Sequence, residues 1–302
     1  MEKIVLTVSN PDKLRLDKFI SENIEGISRT YAQELCKDGL VSVSGKKADK
    51  KYTPKDGEIL EVEVPDAEVV DIVPEDIPLD IVYEDSDVIV VNKPQGMVVH
   101  PAPGNLSGTL VNALMHHSGD NLSEINGVIR PGIVHRIVKD TAGLLIVAKN
   151  NDAHLKLSEQ LKSRKASRRY YALVNGRVKE SGTVDKPIAR HPKDRKKMAI
   201  VQGGREAITH YNVIENYDGY TLLECILETG RTHQIRVHMA SIGHSLVGDR
   251  TYGIQKEKIK TEGQVLFAKT IGFDHPKTGE YMEFSADLPE WFCEILEKLR
   301  RS

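Results

Sequence analysis

Two stretches of this sequence concentrate the groups that could handle a proton, a phosphate or a base. Pro131-Gly-Ile-Val-His-Arg136 leads into Lys139-Asp-Thr-Ala-Gly143, and Thr229-Gly-Arg-Thr-His-Gln-Ile-Arg-Val-His238 runs on towards Gly248-Asp249. Arg136, Arg231 and Arg236 carry fixed positive charge there, and Arg164, Lys165, Arg168, Arg169 and the run Arg195-Lys-Lys197 extend it. Groups of this kind hold phosphates; the attraction is electrostatic, weakens with salt and carries no base preference. His135, His233 and His238 raise the question of a metal, but no acidic or cysteine ligand shares their spacing. Structural histidines, or histidines that touch a nucleic acid, are the expectation.

The charge balance points the same way once it is resolved along the chain. Over 302 residues the net charge is only −2. From Asp56 to Asp87 there are thirteen acidic residues and no basic one, whereas Lys156 to Arg205 holds fifteen Lys/Arg against four Asp/Glu. Such a polarised molecule can steer a polyanion to one face. A solvated lysine-rich surface would look the same by charge alone. Cys36, Cys225 and Cys293 are far apart and odd in number, which fits a reducing compartment and makes no zinc or redox pattern. Gly143-Leu-Leu-Ile-Val-Ala148 is far too short to span a bilayer, and the N-terminus shows no signal-peptide cleavage pattern. A cytoplasmic protein with no membrane partner is expected.

These groups need elements to position them. Residues 1–64 read as a small module. Leu16, Phe19 and Ile20 share one helical face; Ser28 would cap a second helix that ends at Gly39. Val41 and Val43 alternate with serines, Ser44-Gly45 makes a turn, and Ile59 to Val64 alternates again. Residues 65–80, with Pro65, Pro74 and Pro78 among acids, read as an extended linker. A larger domain follows over 81–302. Ile81-Val-Tyr and Val88-Ile-Val-Val form a strand–turn–strand, and Thr109 to His117 is a short helix. Leu144 to Val147 is an apolar strand, and Asn151 or Asp152 caps a helix carrying Ala153, Leu157 and Leu161. Tyr170 to Val174, Thr221 to Leu227 and Gln234 to Val237 are further strand candidates. Strands and helices without regular βαβ alternation predict an α+β domain around a largely antiparallel sheet.

The first module, through Arg15-Leu-Asp-Lys-Phe-Ile, Ser28-Arg-Thr, Gly39-Leu-Val-Ser-Val-Ser-Gly45 and Gly57-Glu-Ile-Leu-Glu-Val62, resembles the S4 RNA-binding domain. That resemblance implies Arg15, Arg29, Lys37, Lys46 and Lys47 as contacts to structured RNA. In the second domain, Asn92-Lys-Pro-Gln-Gly-Met-Val-Val-His-Pro101, the two stretches introduced above, and Arg169-Tyr-Tyr-Ala-Leu-Val174 are similar, in order and spacing, to the RluA/RluD family of RNA pseudouridine synthases. The family's reaction breaks the N1–C1′ bond of a uridine, turns the base and forms a C5–C1′ bond. The resemblance implies no metal or organic cofactor, and an RNA partner, ribosomal RNA before transfer RNA. It assigns Tyr170 to the ring that packs on the target base and Arg136 to reception of the flipped nucleotide. Arg236 would pair with the catalytic carboxylate, and Arg231 would contact phosphate or order its loop.

The family's His-Arg-Leu-Asp reads here His135-Arg136-Ile137-Val138, so the catalytic aspartate position holds Val138. Valine can neither attack nor accept a proton. Loss of a nucleophile can cost on the order of 10⁶ in rate. Asp140 is the nearest substitute, but in an extended segment it would sit about 6–7 Å further along. Without a carboxylate at 138, Arg236 is expected to turn to water, a backbone carbonyl or Asp140. Ala142 stands where the family usually has serine, and Phe267 where it often has histidine. Two readings follow: a pseudouridine synthase in which Val138 is an isolated change that leaves weak or no turnover, and a non-enzymatic RNA-binding or RNA-folding factor on the same scaffold. Asp and Val codons can differ by a single base, and Tyr170 and Arg236 are in place, which favours the first.

Overall fold

The computed structural model describes residues 2–9, 14–24, 27, 29–65, 72–101, 105–119, 122–123, 131–194 and 197–301. The expected cap Ser28, together with Arg195 and Lys196, lies outside them. The chain divides after residue 71 into two compact units.

In the first unit, β1 (Glu2–Thr7) precedes α1 (Leu16–Asn23), α2 (Arg29–Lys37), β2 (Val41–Val43), β3 (Lys46–Lys47) and β4 (Ile59–Val64). The strands form an antiparallel sheet in the order β1-β4-β2-β3. Leu16, Phe19 and Ile20 on one face of α1 pack with Val41, Val43, Leu60 and Val62 into one apolar core. Burying side chains of this size is worth about 1.5–3 kcal/mol each, which is what holds so small a unit together. Ser44 and Gly45 both take positive φ, 49° and 76°, as the tight turn between β2 and β3 requires. The strand β1 has no local signal of its own. Its partner is β4, more than fifty residues away, in register from Glu2 opposite Val64 to Thr7 opposite Ile59.

The second unit opens with an extended segment, residues 72–80, the later part of the expected linker 65–80. It is bonded to the helix that follows: Asn112 Nδ2 donates to the Val73 carbonyl and the Glu75 N–H to the Asn112 carbonyl. The elements are β5 (Ile81–Glu84), β6 (Val88–Lys93), α3 (Leu110–Ser118), β7 (Ala142–Ala148), α4 (Asn151–Lys162), β8 (Ser167–Asn175), β9 (Gly182–Asp185), β10 (Ile188–Arg190), β11 (Met198–Ile200), β12 (Ile208–Tyr217), β13 (Tyr220–Leu227), α5 (Gln234–Ser241), β14 (Leu266–Asp274), β15 (Tyr281–Ser285) and α6 (Glu290–Arg300). The main sheet runs β5-β6-β7-β14-β8-β13-β12-β9, with β15 on β14. Its pairings are antiparallel except β7 with β14, so the α+β expectation holds. Every residue of β7 is buried, because both faces of this central strand are covered. Leu144 and Ile146 join Leu157 of α4 and Phe292 and Leu296 of α6 in one cluster, while Leu145 and Val147 are buried on the opposite face. Gly143 lets β7 and β14 approach: a Cβ there would lie 2.4 Å from the Ala268 carbonyl oxygen.

Two expectations are corrected. Gln234 to Val237 is not a strand but the start of α5. Ile235, Val237 and Met239 alternate, but the residues between them are buried as well, so the period of two marks no exposed face. The cap of α4 is Asn150, one residue earlier than expected; its side chain accepts the Ala153 N–H at 2.9 Å.

Candidate functional site

Residues 131–141 run beside β7 and are pinned to it at several points. Ile133 bridges to Val147, and the ring Nε2 of His135 accepts the Ile146 N–H at 3.0 Å. His135 is therefore a neutral structural imidazole; burial, aided by the Arg168 charge, pushes its pKa down to about 3. The end of the segment closes as a turn, with the Thr141 N–H donating to the Val138 carbonyl at 3.0 Å. A second clamp comes from Lys93 at the end of β6. Its ammonium, fully buried, donates to the carbonyls of Pro94 and Met97 at 2.8 Å and of Lys139 at 3.0 Å. Burial pulls Lys93 down to about 7, with Asp140 opposing. Gly96 N–H also meets the Lys139 carbonyl, and Gln95 meets that of Asp140. The backbone at position 138 is thus held from two sides.

The other wall comes from the loop before α5 and from α5 itself. Gln234 organises it: its Oε1 accepts from the Thr229 hydroxyl and the Arg231 N–H, and its Nε2 donates to the Ile208 carbonyl and the Thr209 hydroxyl. His233 begins the helix in a left-handed conformation, φ 58°, and shares a 2.9 Å hydrogen bond with the Tyr252 hydroxyl. The same hydroxyl accepts the Met198 N–H at 2.8 Å. Burial lowers His233 to about 4. His238 bonds Thr209 and the Lys186 carbonyl through its two nitrogens. All three histidines of the sequence motifs are committed to holding backbone and loops.

Arg236 sits differently from the expectation. It forms a bidentate pair with Asp249, Nε to Oδ2 and Nη2 to Oδ1, both at 2.7 Å. Asp249 Oδ1 also accepts the N–H groups of Thr251 and Tyr252. Burial alone would raise the Asp249 pKa, but the Arg236 hydrogen bonds and charge outweigh it and hold it below the usual carboxylate range. The guanidinium carbon lies 5.1 Å from the centre of the Tyr252 ring. Arg236 therefore pairs with Asp249 rather than with Asp140 or a backbone carbonyl. A planar guanidinium is best satisfied by a carboxylate that matches its fork, and Asp249 supplies one from thirteen residues along the chain.

Between these walls lies a cavity of about 570 Å³, a volume ordinary for a small-ligand site. Val138, Tyr170, Arg136, Arg168, Arg231 and Arg236 all line it, so six residues singled out in the sequence come together. Arg190 and Lys162 join them and were not anticipated. Among the described residues no Asp or Glu lines it. Tyr170 is buried, which raises its pKa against the lowering effect of Arg168, so it presents a neutral phenol. Asp140 does not line the cavity; a Cβ on Gly263 would lie 2.4 Å from the Asp140 Cβ. Because 138–141 is a turn rather than an extended strand, residues 138 and 140 do not share a direction.

Among the described residues, Arg164, Lys165 and Arg169 do not line the cavity. Arg164 is paired with Glu206 and Glu228, Arg169 reaches Glu224 at 4.0 Å, and Lys165 is exposed. Arg231 donates Nε to the Glu206 carbonyl, a loop-ordering contact. In the first unit, Arg15 and Arg29 converge on Asp17, fully buried on α1, each through Nε at 3.0 Å, and Gln33 is a third partner. Burial would raise Asp17, but these bonds hold its pKa below the usual value. Lys37, Lys46 and Lys47 are exposed. Of the groups sequence reasoning missed, Lys93 and Asp249 both stand inside quoted motifs, but only their partners reveal what they do. Asp85, Asp87 and His275 also lie close together. There, however, Asp85 accepts from Tyr83, His275 and two backbone N–H groups, a turn-fixing network between β5 and β6.

Comparison with known proteins accords with this geometry. The sequence pattern of the RNA pseudouridylate synthase family matches residues 87–241, and that of the S4 domain matches residues 14–60. RNA pseudouridine synthase YlyB of Bacillus subtilis (strain 168), termed uncharacterized, is 52% identical over 304 residues, covering 100% of both chains. Ribosomal large subunit pseudouridine synthase D of Zymomonas mobilis is 46% identical over 287 residues, 91% of this chain and 90% of the relative. Among solved structures, human RNA pseudouridylate synthase domain containing 1 superposes with a TM-score of 0.58 at 25% identity, covering 74% of this chain and 96% of that one. With the fold, the cavity and full-length relatives in agreement, the chain belongs to the RNA pseudouridine synthase family, with an S4 domain at its N-terminus.

Proposed function

We propose that this chain binds structured RNA, ribosomal RNA first, receives an extruded uridine in the cavity beside Tyr170, and as written turns it over weakly or not at all. The observation that carries the reading is the cavity lining: five arginines, one lysine and a tyrosine, with valine at position 138 and no carboxylate. Isomerisation needs a group to engage the sugar or the base ring while the N1–C1′ bond is broken and C5–C1′ is made. Aspartate at 138, on a backbone fixed by Lys93 and Thr141, would supply it. Relatives named for the large ribosomal subunit support ribosomal RNA as the partner, and a cytoplasmic location belongs to the same reading. Residues 1–64, with Arg15, Arg29, Lys37, Lys46 and Lys47, are read as the RNA-docking module, and 81–302 as the catalytic domain.

The test compares the chain as written with Val138→Asp on a ribosomal RNA transcript, mapping pseudouridine chemically. Valine and aspartate are close in size, so the variant is expected to fold and to gain activity that the parent lacks. Equal activity in both forms, abolished by Asp140→Asn, would overturn the assignment to position 138. The second reading, a non-enzymatic RNA-binding factor, rests on Val138 itself. It predicts RNA binding by both forms, linear in log salt, with no pseudouridine from either.

A further inference from the structure

One cation of the cavity, Arg168, is buried with no carboxylate partner and an unbonded Nε among the described residues. Arg168, on β8, is 6% exposed and lines the cavity. Its Nη1 packs on Gly230, where a Cβ would come within 2.4 Å of it. Nη2 makes one long contact of 3.4 Å to the Glu228 carbonyl, and Nε has no hydrogen-bond partner among the described residues. Its neighbours are provided for: Arg236 by Asp249, Arg231 by the Glu206 carbonyl, Arg164 by Glu206 and Glu228. A buried guanidinium left without an anion is strongly unfavourable, and burial lowers the pKa of Arg168 accordingly.

The ligand that suits this group has to bring charge as well as an acceptor. A uracil carbonyl would satisfy the N–H and leave the positive charge uncompensated. An oxyanion does both, and Arg231, which feels the charge of Arg168, reinforces the potential. We propose that Arg168 docks an oxyanion inside the cavity, the phosphate attached to the nucleotide that enters it. This rests on the reading of the cavity as the nucleotide's receptacle. It sets Arg168 apart from Arg164, Lys165 and Arg169, which lie outside and can meet only the passing backbone.

The experiment measures binding and needs no turnover, so it can fail while the activity test succeeds. Titration calorimetry on the full chain as written compares uridine, uridine 5′-monophosphate, uridine 3′-monophosphate and inorganic phosphate. One monophosphate is expected to bind about tenfold or more tighter than uridine, the scale of a charge-assisted hydrogen bond. Arg168→Gln should abolish that preference, and Arg168→Lys, which lacks the Nε donor, should weaken it. Equal binding of uridine and both monophosphates, no measurable monophosphate binding, or a preference unchanged in either variant overturns the proposal. If Arg168→Gln fails to fold, the parent and Arg168→Lys decide alone. Val138→Asp separates the two sources of an oxyanion. A preference that survives it assigns Arg168 to the nucleotide's phosphate; a preference lost only there shows that the new carboxylate has taken Arg168, and overturns the assignment to phosphate.

Discussion

The pair between Arg236 and Asp249 is the strongest buried charge contact near the cavity, and it yields a quantitative expectation. The side chains are 6% and 0% exposed, joined by two bonds of 2.7 Å. Replacing Asp249 by Ala strands the guanidinium and also releases the Thr251 and Tyr252 N–H groups. Breaking such a buried pair costs about 3–5 kcal/mol, which for a unit of this size lowers Tm by on the order of 10 °C. Trp291, the only tryptophan, stands on α6 in the second unit, so its fluorescence follows that unit's melting alone. The pH dependence has a definite sign. The folded pKa of Asp249 is depressed below the unfolded value of about 3.9, so its contribution is full above about pH 4 and fades as pH falls through the folded pKa. Parent and Asp249→Ala should therefore differ by a constant amount from pH 7 to about pH 5 and converge in acid. Replacing both partners by apolar residues, Arg236→Met with Asp249→Leu, should recover part of the loss, since the pair's own desolvation goes with it while the Thr251 and Tyr252 N–H groups stay without their acceptor. A loss below about 1 kcal/mol, the level of an exposed pair, or a double variant no better than the single one, would refute the reasoning.

Three further outcomes can be checked in the same way. Lys93 has a folded pKa of about 7, well below the unfolded value of about 10.4; the unfolded chain binds the extra proton between these limits, so this group makes stability rise with pH across that window. Lys93→Met should remove that rise, measured as urea midpoints at about pH 7 and pH 9.5; an unchanged slope would assign it elsewhere. A chain starting at Ile72 should melt like the parent by Trp291 fluorescence, whereas one starting at Ile81 should lose about 1–3 kcal/mol, because it uncovers the Asn112 side chain and removes the Glu75 contact to Gly108. Equal melting of the two truncations would show that residues 72–80 are a tether after all. Gly230→Ala should fold with little change in Tm but displace Arg168, so that it copies Arg168→Gln in nucleotide binding while keeping the guanidinium charge; retained monophosphate preference would argue against the packing described.

Elements with local signals were legible in the amino-acid order: the shared helical face of Leu16, Phe19 and Ile20, the Ser44-Gly45 turn, the apolar strand around Leu144 to Val147, and the mixed α+β class. So was the inability of position 138 to supply a carboxylate, because that depends on residue type alone. Elements whose partners are remote were not legible: β1 is a strand because β4 is there to pair with it, and α5 escaped the alternating pattern because it is buried all round. Tertiary structure alone decided how charges are matched. Motif spacing could place Arg236 and Val138 in one site, but not that Asp249 takes up both arms of the guanidinium, nor that the turn at 138–141 directs Asp140 away from the cavity. In the sequence Lys93 was one basic residue among forty-two, and Arg168 one of several phosphate contacts with nothing to set it apart from Arg164 and Arg169. One became a clamp on three carbonyls and the other an unpaired cation beside a glycine, because a side chain's partners depend on distances through space, which spacing along the chain does not encode.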